Sequence, residues 1–398
     1  MAQNIRVKAS KTKRTQASRL KSTGPLRFAH PFYDNVRPEQ RAKQGSFGQR
    51  MLDHIQGTLR PIPPVRGNGL MTLAAVIGNA GSGAIADAHQ ITIHVAGDTG
   101  VPETDHETNQ VMVADAMAKD YDPAHPEISP AFFLHLGDVI YGPGQNSYID
   151  QFYRPYIHYP GKIIAIPGNH DGESDAKIKD FQKYFCAATQ AVPPIAGSVF
   201  RQTMIQPGVY WCLDAPFVQI VGLYSNSAEN PGFISGPTIG QAQKTWLIST
   251  LKSIKAARNK GTRKALLFAT HHPPFSSGGH SGSAGMLADI DDACTKAGIL
   301  PDAFFSGHAH SIQRYTRTVQ FAGRAVPIPY VVTGCGGHGG QSVDPVPKVK
   351  GGNPVYEFSY KGWGYTTVQI TANKMTITSH GVDSYAALAI DSITVNLV

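Results

Sequence analysis

Five short segments of this chain end in groups whose lone pairs suit a cation. They are Gly97-Asp98-Thr99-Gly100, Gly137-Asp138-Val139-Ile140-Tyr141, Gly168-Asn169-His170-Asp171, His271-His272-Pro273 and Gly307-His308-Ala309-His310. Carboxylate, phenol, amide and imidazole together form a donor set for metal ions. A lone Gly-x-His is more simply a surface or hydrogen-bonded core histidine; five ordered segments are not. Each follows an apolar run: Ile91 to Ala96, Ala131 to Leu136, Ile163 to Ile166, Ala265 to Thr270 and Ala303 to Phe305. Such runs read as buried strands. The donors would then gather at the carboxyl ends of strands, at one rim of a sheet, where open α/β sheets place ligands. His308 and His310 are two residues apart and would share a face of an extended segment.

The chemistry open to such a rim is hydrolysis. Cleaving a phosphate ester needs a nucleophile at phosphorus and charge neutralisation on its oxygens, and two metals about 3.5–4 Å apart supply both. A carboxylate bridging them is the natural way to hold two cations that close.

The set resembles the metallophosphoesterase (calcineurin-like) superfamily and, within it, the purple acid phosphatases. The common superfamily pattern begins Asp-x-His; here Gly100 stands at the third position, and Tyr141 lies three residues after Asp138. Asp-x-Gly together with Gly-Asp-x-x-Tyr marks the purple acid phosphatase branch. The resemblance spans Ile91 to about Arg314. It implies a two-sheet sandwich flanked by helices, with Asp138 bridging two metal ions. Asp98, Tyr141 and His310 would complete one metal site; Asn169, His271 and His308 would complete the other. The first would carry three anionic ligands, suiting Fe(III). The second would suit Fe, Zn or Mn in the divalent state. The resemblance also implies that His170 and His280 face the substrate and assist catalysis. A swap of the ligand role between His271 and His272 stays open, as does an incidental loop role for His280. Where the family often has Glu-Arg after its last motif, this chain has Gln313-Arg314. The implied activity is hydrolysis of phosphate monoesters by a metal-bound hydroxide. The alternatives are a phosphodiesterase acting on nucleotides or nucleic acid, and a non-catalytic metal-binding or polyanion-binding protein on the same fold.

Length and composition leave room for this. The 398 residues are 41% hydrophobic, an ordinary globular balance. The net charge of +8 is uneven. Residues 1–66 hold 14 Lys/Arg and 3 Asp/Glu, leaving 22 and 25 for the rest, so the basic character belongs to an N-terminal arm. That arm would be either a solvated tether or a contact for a polyanion. No apolar stretch follows its basic residues as a secretory signal requires, which favours a cytoplasmic location, and no run is long enough to span a bilayer. Cys186, Cys212, Cys294 and Cys335 are widely spaced, without a metal-ligand pattern, and read as buried thiols rather than disulfides.

The elements that must position the donors follow from periodicity. Residues 67–398 would form the metallophosphoesterase domain that the resemblance implies, β-rich from about Gly351. Helical spacing covers Glu107 to Tyr121, Ala176 to Cys186, Gln241 to Ala257 and Met286 to Ala297. Trp246, Leu247, Leu251 and Ile254 line one face of the third. Leu70 to Ile77 reads as a strand, with a turn at Gly78 to Gly83. Tyr365 to Thr371 and Lys374 to Ser379 flank Ala372-Asn373 as a hairpin. Periodicity alone gives α/β. His94 and His135 sit within strands and read as core; His106 and His338 fall in rim loops.

Overall fold

The computed structural model describes residues 59–101, 107–142, 147–173, 178–197, 199–261, 263–348 and 350–397. Most of the basic arm, and His106, lie outside them. In chain order the elements are β1 (Leu70–Thr72), α1 (Leu73–Asp87), β2 (Ile91–Ala96), α2 (Glu107–Ala118), β3 (Pro130–His135), β4 (Lys162–Ala165), α3 (Lys179–Phe185), β5 (Trp211–Ala215), β6 (Val218–Leu223) and α4 (Ala242–Asn259). There follow β7 (Ala265–Thr270), α5 (Ala284–Ala297), β8 (Ala303–Ser306), β9 (Ile312–Phe321), β10 (Arg324–Thr333), β11 (Val355–Tyr360), β12 (Trp363–Ile370), β13 (Lys374–Asp383) and β14 (Ala386–Asn396).

Among the described residues the strands form two sheets. One runs β1-β5-β6-β7-β8-β10-β9-β11 and the other β14-β13-β12-β2-β3-β4. β2, β3 and β4 are parallel, as are β6, β7 and β8. The five donor-bearing strands therefore divide three and two between the sheets, and the rim is shared rather than belonging to one sheet. Hydrogen bonds join the sheets there: Gly97 N–H to the Thr333 carbonyl (2.8 Å), and Thr333 Oγ1 to Thr366 Oγ1 (2.8 Å).

Alternation along each strand makes the layers. On β7, Leu267 and Ala269 join the core that includes Ile91, Ile93 and Val95 of the facing sheet. Leu266 and Phe268 face the other way, against Leu247, Leu251 and Ile254 of α4 and Met286, Leu287 and Ile290 of α5. Period two thus sends alternate residues to two different cores. On the opposite side, α2 packs on β12 and β13. The result is a two-sheet sandwich between helices. No helix among the described residues is long and apolar enough to cross a membrane.

Three local readings change. The segment after Thr72 is a helix, not a strand and turn. Thr72 accepts a hydrogen bond from Ala75 N–H as an N-cap, and Leu73, Val76 and Ile85 are buried. The Gly-rich run interrupts that helix only at Gly78 (φ 86°, ψ 161°). Second, residues 59–66 of the arm pack on the domain. Leu59 is buried with Ala228, Phe233 and Ile239, and Arg66 donates to the carbonyls of Cys186, Ala187, Ile205 and Gln206. Third, β9 and β10 form a hairpin of two ten-residue strands turned by Ala322 (φ 49°) and Gly323 (φ 77°), which periodicity did not mark. The expected hairpin at Ala372-Asn373 is β12–β13. All four cysteines are free.

Trp211 ties the sheets together. It is fully buried on β5, and its indole N–H donates to the Ala165 carbonyl of β4 in the other sheet (3.0 Å). Trp211→Ala is expected to cost about 3–5 kcal/mol, from lost burial plus a cavity. A urea unfolding midpoint unchanged from wild type would contradict this role.

Candidate metal centre

Asp98 follows β2, Asp138 follows β3, Asn169 follows β4, His271 follows β7, and His308 and His310 follow β8. The turns that carry them are sharp. Asp98 (φ 56°), Asp138 (φ 52°) and His308 (φ 68°) all adopt left-handed backbone. For non-glycine residues this costs roughly 1–3 kcal/mol each and persists where function fixes it. Backbone amides hold the result. His308 N–H donates to Asp98 Oδ2 (2.7 Å), and His170 N–H donates to Asp138 Oδ1 (3.0 Å). Gly168 is required for the second contact, since a Cβ there would lie 2.0 Å from Asp138 Oδ1.

One oxygen of each carboxylate is thereby occupied, and the other faces inward. The imidazoles are set the same way. His271 Nδ1–H donates to the Leu136 carbonyl (2.9 Å), His310 Nδ1–H to the Gly339 carbonyl (2.8 Å) and His308 Nε2–H to Asn230 Oδ1 (3.2 Å). Each ring thus turns its other nitrogen to the centre, where a cation could take the place of a proton. Asn169 Nδ2–H donates to Glu229 Oε2 (3.1 Å), which turns its Oδ1 inward.

These atoms form two adjoining groups. His271 Nε2 lies 3.0 Å from Asn169 Oδ1, 3.2 Å from Asp138 Oδ2 and 3.2 Å from His308 Nδ1. Tyr141 Oη lies 3.1 Å from Asp98 Oδ1 and 3.1 Å from His310 Nε2. Asp98 Oδ1 is 4.0 Å from His271 Nε2, which links the groups. All seven sequence-derived ligand candidates are buried and meet here. The inward atoms are almost all acceptors, so the site demands positive charge. In their own field the groups recruit protons. Burial disfavours a charged His271, but Asp138 and Asp98 outweigh it and raise its pKa to about 9. Burial, Asp98 and Asp138 hold the Tyr141 phenol well above its ordinary value. A bound cation of high charge would replace those protons and reverse both shifts. The donors fit metal ions: Asp138, His271 and His308 alone bring ligand atoms within 4.8 Å of one another.

The other candidates divide. His272 hydrogen-bonds Ser225 Oγ (2.8 Å) and the Ala228 carbonyl (2.8 Å), so both its nitrogens are taken and His271 is the one that faces the centre. His170 packs its ring 4.4 Å from Tyr141 and binds Glu173 (3.1 Å). Burial opposes its protonation, yet Glu173 and Asp138 raise it to about 9. His280 lies with its ring 4.1 Å from His308; burial and His310 lower it to about 4. His94 and His135 are core residues, bonded to Asp120 (2.9 Å) and Thr99 Oγ1 (2.8 Å). Gln313 accepts from Ser277 N–H (2.9 Å) and supports a rim loop.

Sequence reading missed several supporting residues. Asp171 accepts from Gly168 N–H (2.9 Å), Val139 N–H (3.2 Å) and Tyr148 O–H (2.9 Å), pinning two ligand turns; only its place beside Asn169-His170 hinted at this. Glu229 and Asn230 orient Asn169 and His308 from a loop without a motif. His338 stacks on Tyr141 at 3.7 Å and 6°, donates from Nδ1 to the Gly100 carbonyl (3.0 Å), and its backbone N–H binds the Asp98 carbonyl (3.0 Å). Gly100 itself explains the exchange of donor. A Cβ there would lie 2.7 Å from Ile140 Cα, so a histidine does not fit, and the same turn delivers Tyr141.

A family model described as calcineurin-like phosphoesterase matches residues 85–311. The chain belongs to that family. Among solved structures it is similar to a purple acid phosphatase, PPD1, from yellow lupin (Lupinus luteus) seeds. That match has a TM-score of 0.54 and 14% identity, over 77% of this chain and 54% of the lupin protein. The chain thus spans about half of that protein's length. It is also similar to GAP50, the anchor in the inner membrane complex of Plasmodium. Here the TM-score is 0.54 and the identity 12%, over 78% of this chain and 89% of that one. At these identities the likeness is one of fold. A comparison with curated protein sequences gives no match.

His338→Ala is expected to destabilise the protein by about 1–3 kcal/mol, from loss of the stack and of one hydrogen bond. His338→Phe should recover the stacking share. Equal urea midpoints for all three proteins would show that the contact contributes nothing.

Proposed function

We propose that this family member is a binuclear metal-dependent phosphatase of the purple acid phosphatase type, acting on phosphate monoesters. The observation that carries the reading is the meeting of Asp98, Tyr141 and His310 with Asn169, His271 and His308 around Asp138. Asp138 would be shared by two metal ions. The Tyr141 group, with three anionic donors, favours Fe(III); the amide and two imidazoles favour divalent Fe, Zn or Mn. When bound, the ions supply Lewis acidity toward the attacking water and neutralise the phosphoryl oxygens.

The remaining steps belong to side chains. His170, held protonated by Glu173, would hydrogen-bond a phosphoryl oxygen or give a proton to the leaving group. His280, neutral because it is buried beside other imidazoles, would position substrate across from it. Two carboxylates stand close by: Glu173 on His170, and Glu229 on Asn169 and 3.8 Å from His280. Their charge repels a long polyanion, which favours a small monoester over nucleic acid. The fold also serves as an anchor in Plasmodium, so fold alone does not imply turnover. The complete donor set supports catalysis.

Asp138→Asn is expected to lower affinity at both metal sites by more than the roughly 10–100-fold typical of losing an outer-layer partner, and to abolish hydrolysis of an aryl phosphate monoester. Metal content by elemental analysis, alongside hydrolysis of matched monoester and diester, checks this. Full metal content with normal activity would overturn the shared ligand. A diester cleaved faster than its monoester would overturn the substrate class.

A further inference from the structure

We propose that a second pocket, at the opposite end of β4 from Asn169, binds a small anionic amphiphile. Lys162 opens β4, whereas the metal centre lies beyond its last residue, Ala165, so the two sites occupy opposite ends of one edge strand. The pocket encloses about 310 Å³, at the small end of the range for ligand cavities.

Its lining includes two cations, Lys162 and Arg201, and no carboxylate. Arg201 donates to the carbonyls of Gly161 (3.0 Å), Tyr156 (2.6 Å) and Tyr159 (2.6 Å), while its Nε is buried without a partner. Lys162 donates to Gln202 Oε1 (2.9 Å). Every one of these bonds ends on a neutral oxygen. A part-buried guanidinium loses hydration that an opposite charge would offset. Burial, and then the repulsion of Arg201, lower the Lys162 pKa, so the two cations feel each other. An anion resting at Lys162 would relieve both.

The rest of the pocket is apolar and partly open. Phe200 is 84% exposed and Ile157 53% exposed, and both line it with Tyr153 and Tyr184. Exposed apolar groups beside a cavity mark a contact surface. The ligand chemistry is therefore a carboxylate, sulfonate or phosphate head at Lys162 and an aromatic or branched body against Phe200 and Ile157. The basic arm of this chain has the wrong charge for the cationic end. An anionic lipid headgroup shares the chemistry, but the enclosed volume favours a free small molecule.

Anilinonaphthalene sulfonate is a suitable probe, since its aromatic body carries one anionic group that is a poor metal ligand. Fluorescence titration of the full chain should give one saturable site. Its Kd should rise at least about tenfold in Phe200→Ala and in Lys162→Glu. The uncharged parent, phenylnaphthylamine, should bind wild type at least about tenfold more weakly and ignore Lys162→Glu. Aryl phosphate hydrolysis should be unchanged in both variants, showing that they fold. Unchanged probe affinity in the two variants, or equal affinity for the uncharged parent, would overturn the proposal. So would a protein that binds phosphatidylglycerol vesicles through Phe200 but not the free probe, which would assign the patch to a lipid surface.

Discussion

The lone-pair crowding at the junction of the two sheets is the constraint on which the rest depends. Two buried carboxylates, an amide oxygen, a phenol and three imidazole nitrogens point into one small volume. Left uncompensated, such an arrangement would cost several kcal/mol per buried charge. Either protons or metal cations must occupy it. Asp98, Asp138 and the three histidines are turned inward because an outer atom of each is already bound, by backbone amides for Asp98 and Asp138 and by carbonyl or amide oxygens for the histidines. The protein commits its second-layer hydrogen bonds to making the donors available.

The scaffold meets this demand with two parallel strand sets whose carboxyl ends converge. A single sheet would spread five turns along a line, each about 4.8 Å from the next. Splitting them three and two between facing sheets folds that line into a cup. The cost is local strain, visible in the left-handed backbone of Asp98, Asp138 and His308. It is offset by the sheet-to-sheet core and by cross-links such as Trp211 to Ala165. The exchange of histidine for tyrosine follows from one close approach. The turn at Val139 and Ile140 lies against Gly100, leaves no room for a side chain there, and carries Tyr141 in from the other direction.

The donors were legible because strand ends share a signature: a buried apolar run and then a polar group, with a glycine between them in four of the five segments. All seven candidates lie together in space, although their roles as ligands remain proposals. The supporting residues were not legible. His338, Glu229 and Asn230 sit in loops whose path is set by tertiary contacts, and nothing in local sequence says that His338 will stack on Tyr141. The Leu73–Asp87 helix was hidden because six small residues, Gly78 to Gly83, mimic a turn. Capping by Thr72 and burial of Leu73, Val76 and Ile85 decide it instead. The β9–β10 hairpin escaped because its outer half is not alternately buried.

The most direct test of the tyrosine-bearing centre is optical. A phenolate on ferric iron absorbs visible light by ligand-to-metal charge transfer, which carboxylate and imidazole ligands on the same ion do not reproduce. Protein loaded with iron and oxidised should be violet, and Tyr141→Phe should lose the band while keeping its fold and bound iron. Identical visible spectra for iron-loaded wild type and Tyr141→Phe would contradict tyrosine ligation and leave Tyr141 as a packed aromatic beside His338.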